Sequence, residues 1–390
     1  MGTFAAVTTD KGTGAISTVE VFGDHADNIL KKIFIPLKGK AQFLKPGTVT
    51  VGQIRDKDKT IDQVTIGCQW PDSFSINCHG NPLIVEMIAK LLKENKVEIL
   101  IYEQLLQKIY SKRQNYNAIQ IEAKIALTKA KTISGARIII HQQKNGLSYI
   151  LKHWLEKTGK ISLAKIKNQS HAILKASKVA KFIIYGCKAV VAGPANTGKS
   201  TLFNCLCGAN KAIVTDIKGT TRDWLSAQYQ FGSLMLELTD TAGLDDILND
   251  EIQAKAQEKS IQMVTDADLI LLVLNQSRAN TKISGELLKR IANKKILTVL
   301  NKSDLPGELN TSKLPIICSQ IIRISAKYAQ GIEDLAEKIQ EILGVAKFDF
   351  YRPVCFTERQ NKLVAELAKA GSKTSAANII TELLNGPVCV

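Results

Sequence analysis

A glycine-rich octapeptide, GPANTGKS at residues 193–200, is the segment of this sequence whose residue types and spacing indicate chemistry most directly. It follows an apolar run at 187–192 and precedes TLFNCLCG, an order that predicts strand, loop and helix. Backbone N–H groups of such a loop converge on phosphate oxygens at the positive end of the helix, while Lys199 supplies a mobile charge and the Ser200 hydroxyl a magnesium ligand. The octapeptide therefore predicts a nucleotide-binding protein.

Three further motifs follow in order, each at the end of an apolar strand pattern: DTAG at 240–243, NKSD at 301–304 and SAK at 325–327. Asp240 is placed to hold a magnesium-bound water and Gly243 to meet the γ-phosphate. The Asp304 carboxylate can accept two hydrogen bonds from an edge of guanine that adenine lacks, which favours guanine. The alternative, a structural glycine turn with chance tripeptides, is disfavoured because all four motifs keep their order and context.

The segment IVTDIKGTTRD at 213–223 lies between the phosphate loop and DTAG. A threonine is needed there to close over magnesium and the γ-phosphate, and Thr221 is our choice as the second magnesium ligand beside Ser200. A polar loop with threonines and a glycine is also compatible with a simple surface turn. Its position between the two phosphate-contacting motifs favours the switch segment.

These motifs together resemble one known family. GPANTGKSTLFN, IVTDIKGTTRD and DTAGL are similar to the MnmE (TrmE) family of tRNA-modification GTPases. Upstream, TFAAVTTDKGTGAISTVEVFG, VGQIRDKDKTIDQVTI and SFSINCHGNPLIVE resemble that family's N-terminal domain, and downstream FTERQNKLVAEL and NIITELLNG resemble its C-terminal helices. The resemblance implies a homodimer that hydrolyses GTP and acts with an MnmG-type flavoprotein on the wobble uridine, U34, of tRNA.

The same resemblance implies an α/β P-loop GTPase domain inserted into an all-α helical domain and preceded by a small α+β domain. The expected divisions are 1–100, an N-terminal α+β domain that is folate-binding-like and dimerising; 101–185, the first segment of the helical domain; 186–345, the GTPase domain; and 346–390, the second segment of the helical domain.

Periodicity agrees with this plan. Residues 3–70 alternate as in a small sheet interrupted by a helix at 26–33, and a helix is predicted at 82–94. Helical spacing predominates from 102 to 180, where we interpret GARIIIHQQ as helix although a strand is an alternative. The GTPase segment alternates strand and helix, which predicts a mainly parallel sheet with its ligand at the carboxyl ends of the strands.

Hydrolysis requires a group that positions water, and Leu244 occupies the place after DTAG where many small GTPases carry glutamine. By resemblance, a potassium ion takes the electrostatic role of an arginine finger and is held by Asn196, Thr215, Ile217 and Thr220.

The resemblance also aligns Gln253 with a family glutamate that positions water. An amide keeps hydrogen bonding but loses charge and basicity, so we expect slower hydrolysis unless Glu251 substitutes. The expected catalytic residues are Gln253, Thr221 and Gly243. The residues expected to contact GTP or GDP, Mg²⁺ and K⁺ are Asn196, Thr197, Gly198, Lys199, Ser200, Thr201, Thr215, Asp216, Ile217, Lys218, Gly219, Thr220, Thr221, Asp240, Thr241, Ala242, Gly243, Asn301, Lys302, Asp304, Ser325, Ala326 and Lys327.

Several positions depart from the family. Glu20 stands where the family's folate site uses an arginine, SFSINCHG is contracted, and Cys389 lies in NGPVCV and not in a terminal Cys-Ile-Gly-Lys. These departures count against folate-dependent one-carbon transfer. They leave open a regulatory or RNA/ribosome-assembly GTPase switch that has lost the modification chemistry. Gln253 separately leaves open a binding module without turnover.

Charge is distributed unevenly along the chain. Residues 101–185 hold 16 Lys and Arg side chains against three Asp and Glu, whereas residues 186–345 hold 18 of each. Such an excess is often only a solvated face, but its contrast with a neutral GTPase segment points equally to nucleic acid. We therefore name tRNA as a candidate partner of the basic helical segment.

Targeting signals are not apparent. The chain opens without a basic and apolar leader, and its apolar runs are too short to cross a bilayer, so a cytoplasmic protein without membrane contact is expected. Eight cysteines occur without a CxxC pair, which argues against disulfides and zinc; Cys205 and Cys207 are expected to be buried.

Overall fold

A computed structural model describes residues 2–9, 12, 14–37, 45–113, 115–157, 160–208, 212–213, 226–240, 263–279, 283 and 285–388. The chain divides into two compact units, Met1–Ile125 with Leu384–Val390 and Ala126–Leu383. The four-way division at 100, 185 and 345 stays a prediction.

The first unit contains a seven-stranded sheet in the order β3-β4-β5-β6-β2-β1-β7. Neighbouring strands are antiparallel except β1 and β7, which are parallel. The strands are β1 Thr3–Val7, β2 Ile16–Gly23, β3 Phe34–Pro36, β4 Thr48–Asp56, β5 Lys59–Trp70, β6 Ser73–His79 and β7 Val97–Ile99. The alternation predicted over residues 3–70 therefore produces a sheet, as expected.

Two helices cover one face of this sheet. The first, α1 (Ala26–Ile33), buries Ile29, Leu30 and Ile33. The second, α2 (Pro82–Glu94), is capped by Asn81, whose side chain accepts a hydrogen bond from the Leu83 N–H. An Asn cap followed by proline is a favourable helix start. Both predicted helices are confirmed.

Helix α3 (Tyr102–Lys112) packs on the opposite face, where Leu105 and Ile109 join a cluster with Ala6 and Phe22. Helix α4 is Ala118–Leu127.

Three helices open the second unit: α5 Ile133–Lys144, α6 Leu147–Glu156 and α7 Leu163–Tyr185. The segment GARIIIHQQ lies within α5, so its interpretation as helix is confirmed. The Thr132 side chain caps α5 by accepting from the Gly135 N–H at 2.9 Å and also donates to the Ile183 carbonyl at 2.7 Å, which ties α5 to the end of α7.

A second seven-stranded sheet begins directly after α7 in the sequence. Its order is β14-β13-β12-β8-β11-β10-β9. The five strands from β14 to β11 are parallel, and β10 is antiparallel to both of its neighbours, β11 and β9. The prediction of a mainly parallel sheet is therefore confirmed. The strands are β8 Cys187–Ala192, β9 Ala212–Ile213, β10 Ser226–Phe231, β11 Leu234–Asp240, β12 Leu269–Asn275, β13 Lys295–Asn301 and β14 Ile321–Arg323.

Burial explains why these strands read as continuous apolar runs. All seven residues of β12 are buried, which is typical of a parallel strand in the middle of a sheet. The accompanying helices are α8 Lys199–Gly208, α9 Gly285–Ile291 and α10 Ile332–Leu343.

Two helices close the unit, α11 Glu358–Ala368 and α12 Lys373–Asn385. Helix α11 packs against α7. The buried Gln142 of α5 anchors the segment before α11, since its side chain accepts from the Val354 N–H at 3.1 Å and donates to the Arg352 carbonyl at 3.2 Å.

Cysteine burial matches expectation at five positions, Cys68, Cys78, Cys187, Cys318 and Cys355. For Cys205 and Cys207 the prediction of burial is wrong: both are half-buried, because α8 buries Leu202, Phe203 and Leu206 instead. No helix in the described part of the chain is long and apolar enough to cross a membrane.

Candidate nucleotide-binding site

The glycine-rich loop connects β8 to α8, as predicted, and its two glycines are required by their surroundings. Gly193 has φ +141° and Gly198 φ +93°. A Cβ atom at 193 would overlap the Val273 carbonyl oxygen of β12, and one at 198 would overlap the Asn301 amide nitrogen. The loop is therefore pressed against the carboxyl ends of neighbouring strands, where α/β sheets bind their ligands.

Lys199 is folded back over this loop. Its Nζ donates to the Gly193 carbonyl at 2.6 Å and to the Pro194 carbonyl at 2.9 Å. The Thr197 hydroxyl also donates to the Pro194 carbonyl at 2.9 Å. The ammonium group thus lies at the start of the loop, while the backbone of Lys199 and Ser200 begins the first turn of α8.

Asn301 joins the glycine-rich loop to the segments NKSD (301–304) and SAK (325–327). Its side chain is buried, donates to the Thr197 carbonyl at 3.0 Å, and accepts from the backbone N–H groups of Lys302 at 2.8 Å and Ala326 at 3.0 Å. One amide therefore links three segments that are distant in sequence. Lys302 adds a further link through its Nζ, which donates to the Asn196 carbonyl at 3.1 Å.

The carboxylate of Asp304 is held by Ser325. The Ser325 hydroxyl, which is fully buried, donates to Asp304 Oδ1 at 2.5 Å, while the Asp304 side chain itself is exposed. A buried hydroxyl that fixes one carboxylate oxygen orients the carboxyl group as a whole. Such a carboxylate can accept from paired N–H groups of a base.

The structure brings together many of the residues predicted to bind nucleotide. Asn196, Thr197, Gly198, Lys199, Ser200 and Thr201 lie in the loop and on α8, and Asn301, Lys302, Asp304, Ser325, Ala326 and Lys327 lie at the ends of the next strands. Asp240 ends β11, level with Val191 of β8. The remaining predicted residues, Thr215, Asp216, Ile217, Lys218, Gly219, Thr220, Thr221, Thr241, Ala242, Gly243 and Gln253, lie outside the described residues.

Sequence reasoning did not identify the contacts between the motifs. It assigned Asn301 to the base motif only, whereas the side chain also supports the phosphate loop. It also did not identify Val273, whose carbonyl requires a glycine at 193. A buried asparagine at the end of an apolar strand is the signal that points to such a bridging role.

Glu20, the position where the folate arginine was expected, lies on β2 opposite Ala6 of β1 and Ser75 of β6. Burial raises the pKa of this carboxyl from its ordinary value of 4.5 to about 7. Burial, and to a smaller extent the Glu20 charge, raises the pKa of Tyr102 and Tyr110. A carboxyl in these surroundings is unsuited to binding an anionic tail.

A mainly parallel sheet, a glycine-rich loop with its lysine, and an aspartate carboxylate held by a buried hydroxyl together define a P-loop GTPase. A family model described as a 50S ribosome-binding GTPase matches residues 188–302, and one described as the GTP-binding protein TrmE N-terminus matches residues 3–100.

Several relatives match most of the length of this chain. The chain is 31% identical to the tRNA modification GTPase MnmE of Lacticaseibacillus paracasei over 87% of its own length and 80% of the relative's. It is 30% identical to the MnmE of Enterococcus faecalis over 87% of its own length and 81% of the relative's. It is 29% identical to the MnmE of Clostridioides difficile over 87% of its own length and 82% of the relative's. The chain belongs to the MnmE family of tRNA modification GTPases. The solved G domain of the T. maritima FeoB iron transporter is 25% identical over 40% of this chain and 98% of its own, with a TM-score of 0.33.

Proposed function

We propose that this GTP-binding protein hydrolyses GTP as part of the modification of the wobble uridine in tRNA. In this proposal it acts as a homodimer together with an MnmG-type flavoprotein. The observation that carries the nucleotide role is the buried Asn301 amide, which holds the phosphate loop and both base motifs in one site. The tRNA role rests on membership of the MnmE family and on the basic helical segment.

In this proposal each described residue has one task. Lys199 exchanges its two loop carbonyls for phosphate oxygens of the nucleotide, and Ser200 presents its hydroxyl to magnesium at the start of α8. Asp304 accepts from the guanine edge, with Ser325 fixing its orientation, and a backbone N–H of the segment at 325–327 donates to the guanine carbonyl.

The ions supply electrostatic stabilisation of charge that develops on the transferred phosphoryl group. Ser200 and Thr221 are the proposed ligands of Mg²⁺, and Asn196, Thr215, Ile217 and Thr220 those of K⁺. Of the proposed K⁺ ligands, Asn196 lies in the phosphate loop and has φ +62°. The hydrogen bond that Lys302 donates to the Asn196 carbonyl contributes to this conformation. Gln253, Thr221 and Gly243 stay the proposed residues for positioning water and the γ-phosphate.

Deleting the gene and measuring modified wobble uridine by nucleoside mass spectrometry tests the tRNA role. Loss of the modified nucleoside, restored by the wild-type gene but not by a Lys199→Ala variant, is expected. Unchanged modification in the deletion strain would reject this role.

A second candidate is favoured by Glu20: a regulatory or RNA/ribosome-assembly GTPase switch that has lost the modification chemistry. A carboxyl whose pKa is about 7 in place of an arginine removes the cation expected to hold a folate tail. Unchanged nucleoside modification together with altered ribosomal particle profiles in the deletion strain would select this candidate.

A further inference from the structure

The solvent-facing side of α7 carries a row of basic side chains that the nucleotide site does not use. Lys167, His171, Lys175 and Lys178 are spaced four, four and three residues apart. At 100° per residue they fall within an arc of about 80°, and they extend over about 16 Å of helix. Lys167 is half-buried and the other three are exposed. We call these four residues the α7 basic stripe.

The opposite side of α7 fixes which way the stripe faces. Ile166, Ile173 and Ile183 are buried there. The Ser177 hydroxyl accepts from the Cys355 N–H at 2.8 Å, and the Tyr185 hydroxyl donates to the Phe356 carbonyl at 2.6 Å. These bonds and the packing of α11 prevent rotation of α7 about its axis, so the stripe is a fixed feature of the surface.

The stripe is electrostatically unbalanced. No Asp or Glu occurs from residue 157 to residue 215. Lys167, Lys175 and Lys178 form no ion pair with any described residue. By contrast, Lys112 of α3 is paired with Asp24 and Asp72. Uncompensated lysines in a row on a rigid helix create a positive potential that a polyanion can neutralise.

We propose that the α7 basic stripe binds the phosphodiester backbone of tRNA. This inference rests on the proposed function, and it assigns the RNA contact to one helix face within the broad basic segment. Nucleic acid fits better than a membrane because α7 exposes no large apolar side chain that would insert among lipids. Lysines contact phosphates as point charges, so the stripe is expected to contribute affinity with little base selectivity.

The test compares two matched triple variants in the full chain. Lys167, Lys175 and Lys178 are changed to Glu in one, and Lys32, Lys90 and Lys93, which are exposed on α1 and α2, are changed to Glu in the other. Both change the net charge equally. Binding of total tRNA is measured at several salt concentrations, with GTP binding and circular dichroism verifying that each variant is folded.

The stripe variant is expected to bind tRNA at least about tenfold more weakly at roughly 100 mM salt, and its slope of log K against log salt to fall by about 2 to 3, since each phosphate contact contributes about 0.9 on duplex nucleic acid. The α1/α2 variant is expected to stay within about twofold of wild type. Changing the three stripe lysines to Arg should preserve binding, because charge is kept.

Equal tRNA binding by the stripe variant and wild type would overturn the inference while leaving the proposed function standing. Loss of sedimentation with anionic phospholipid vesicles, with tRNA binding intact, would overturn it in favour of a membrane surface. Unchanged nucleoside modification in the deletion strain would instead reject the proposed function, whatever the binding result.

Discussion

At the scale of single residues, the site depends on a few polar side chains whose orientation is fixed by buried partners. Asp304 is exposed but is held by the buried Ser325 hydroxyl, and Asn301 is buried and satisfied on both its oxygen and nitrogen. A buried amide with every bond made stabilises one arrangement of loops, because any other leaves polar groups unpaired.

Asp304→Asn is expected to change base preference. The amide keeps one acceptor for the base N1–H. Its NH₂ group, however, faces the C2 amino group of guanine, which is also a donor, whereas xanthine has a carbonyl at C2 that can accept. GTP affinity should fall by about 30- to 1,000-fold, equivalent to about 2–4 kcal/mol, and xanthosine triphosphate should bind more tightly than in wild type. Calorimetric titration measures both. Asp334→Asn, an exposed carboxylate on α10, is the control and should leave both affinities unchanged.

Gln253→Glu is expected to accelerate potassium-dependent GTP hydrolysis. The carboxylate restores the charge and basicity that the amide lacks, which contributes typically about tenfold or more when water must be positioned. Single-turnover rates in KCl and in NaCl measure the effect, with Gln257→Glu as a neighbouring control. No gain in KCl would contradict the assignment of Gln253.

At the scale of elements, β2 carries a carboxyl that burial keeps from ionising easily. The folded pKa of Glu20, about 7, lies above its ordinary value of 4.5. Below about pH 4.5 the group is protonated in both folded and unfolded chains. As pH rises from 4.5 towards 7 the unfolded chain ionises first, so folding stability is lost over this interval.

Glu20→Gln should therefore stabilise the protein at about pH 8 and have little effect at about pH 4.5. The expected gain at the higher pH is on the order of 1–3 kcal/mol in the free energy of unfolding, reduced from the full pKa difference because the side chain is only partly buried. Urea denaturation at both pH values measures it. Glu98→Gln, an exposed carboxylate on β7, serves for comparison, and equal effects of the two variants at the higher pH would refute the role of burial.

At the scale of the whole molecule, family membership leads us to expect rearrangement between nucleotide states. Small-angle scattering profiles with GDP and with a transition-state analogue should differ in KCl, and the difference should shrink in NaCl if potassium is bound by the proposed ligands. The scattering profiles of the Asn196→Ala variant in KCl should match those of the wild type in NaCl. Superimposable profiles under all conditions would exclude this coupling.

Much of this protein was determined by local pattern alone. Strand alternation over residues 3–70, helical spacing at 82–94 and the order of strands and helices after 186 predicted elements that the structure contains, because hydrophobic period is a local property of the chain. The four nucleotide motifs were visible for the same reason, since each is a short run with its own strand and turn context.

Contacts between distant segments could only come from the tertiary structure. Asn301 reaching Thr197, Val273 requiring a glycine at 193, and burial raising the pKa of Glu20 all depend on which surfaces pack together, and no local period encodes that. The basic segment illustrates both levels: helical spacing places Lys167, Lys175 and Lys178 on one face of α7, while the packing of α7 decided that this face points outward. Local physics thus set the elements and their chemistry, and burial decided which of those groups meet.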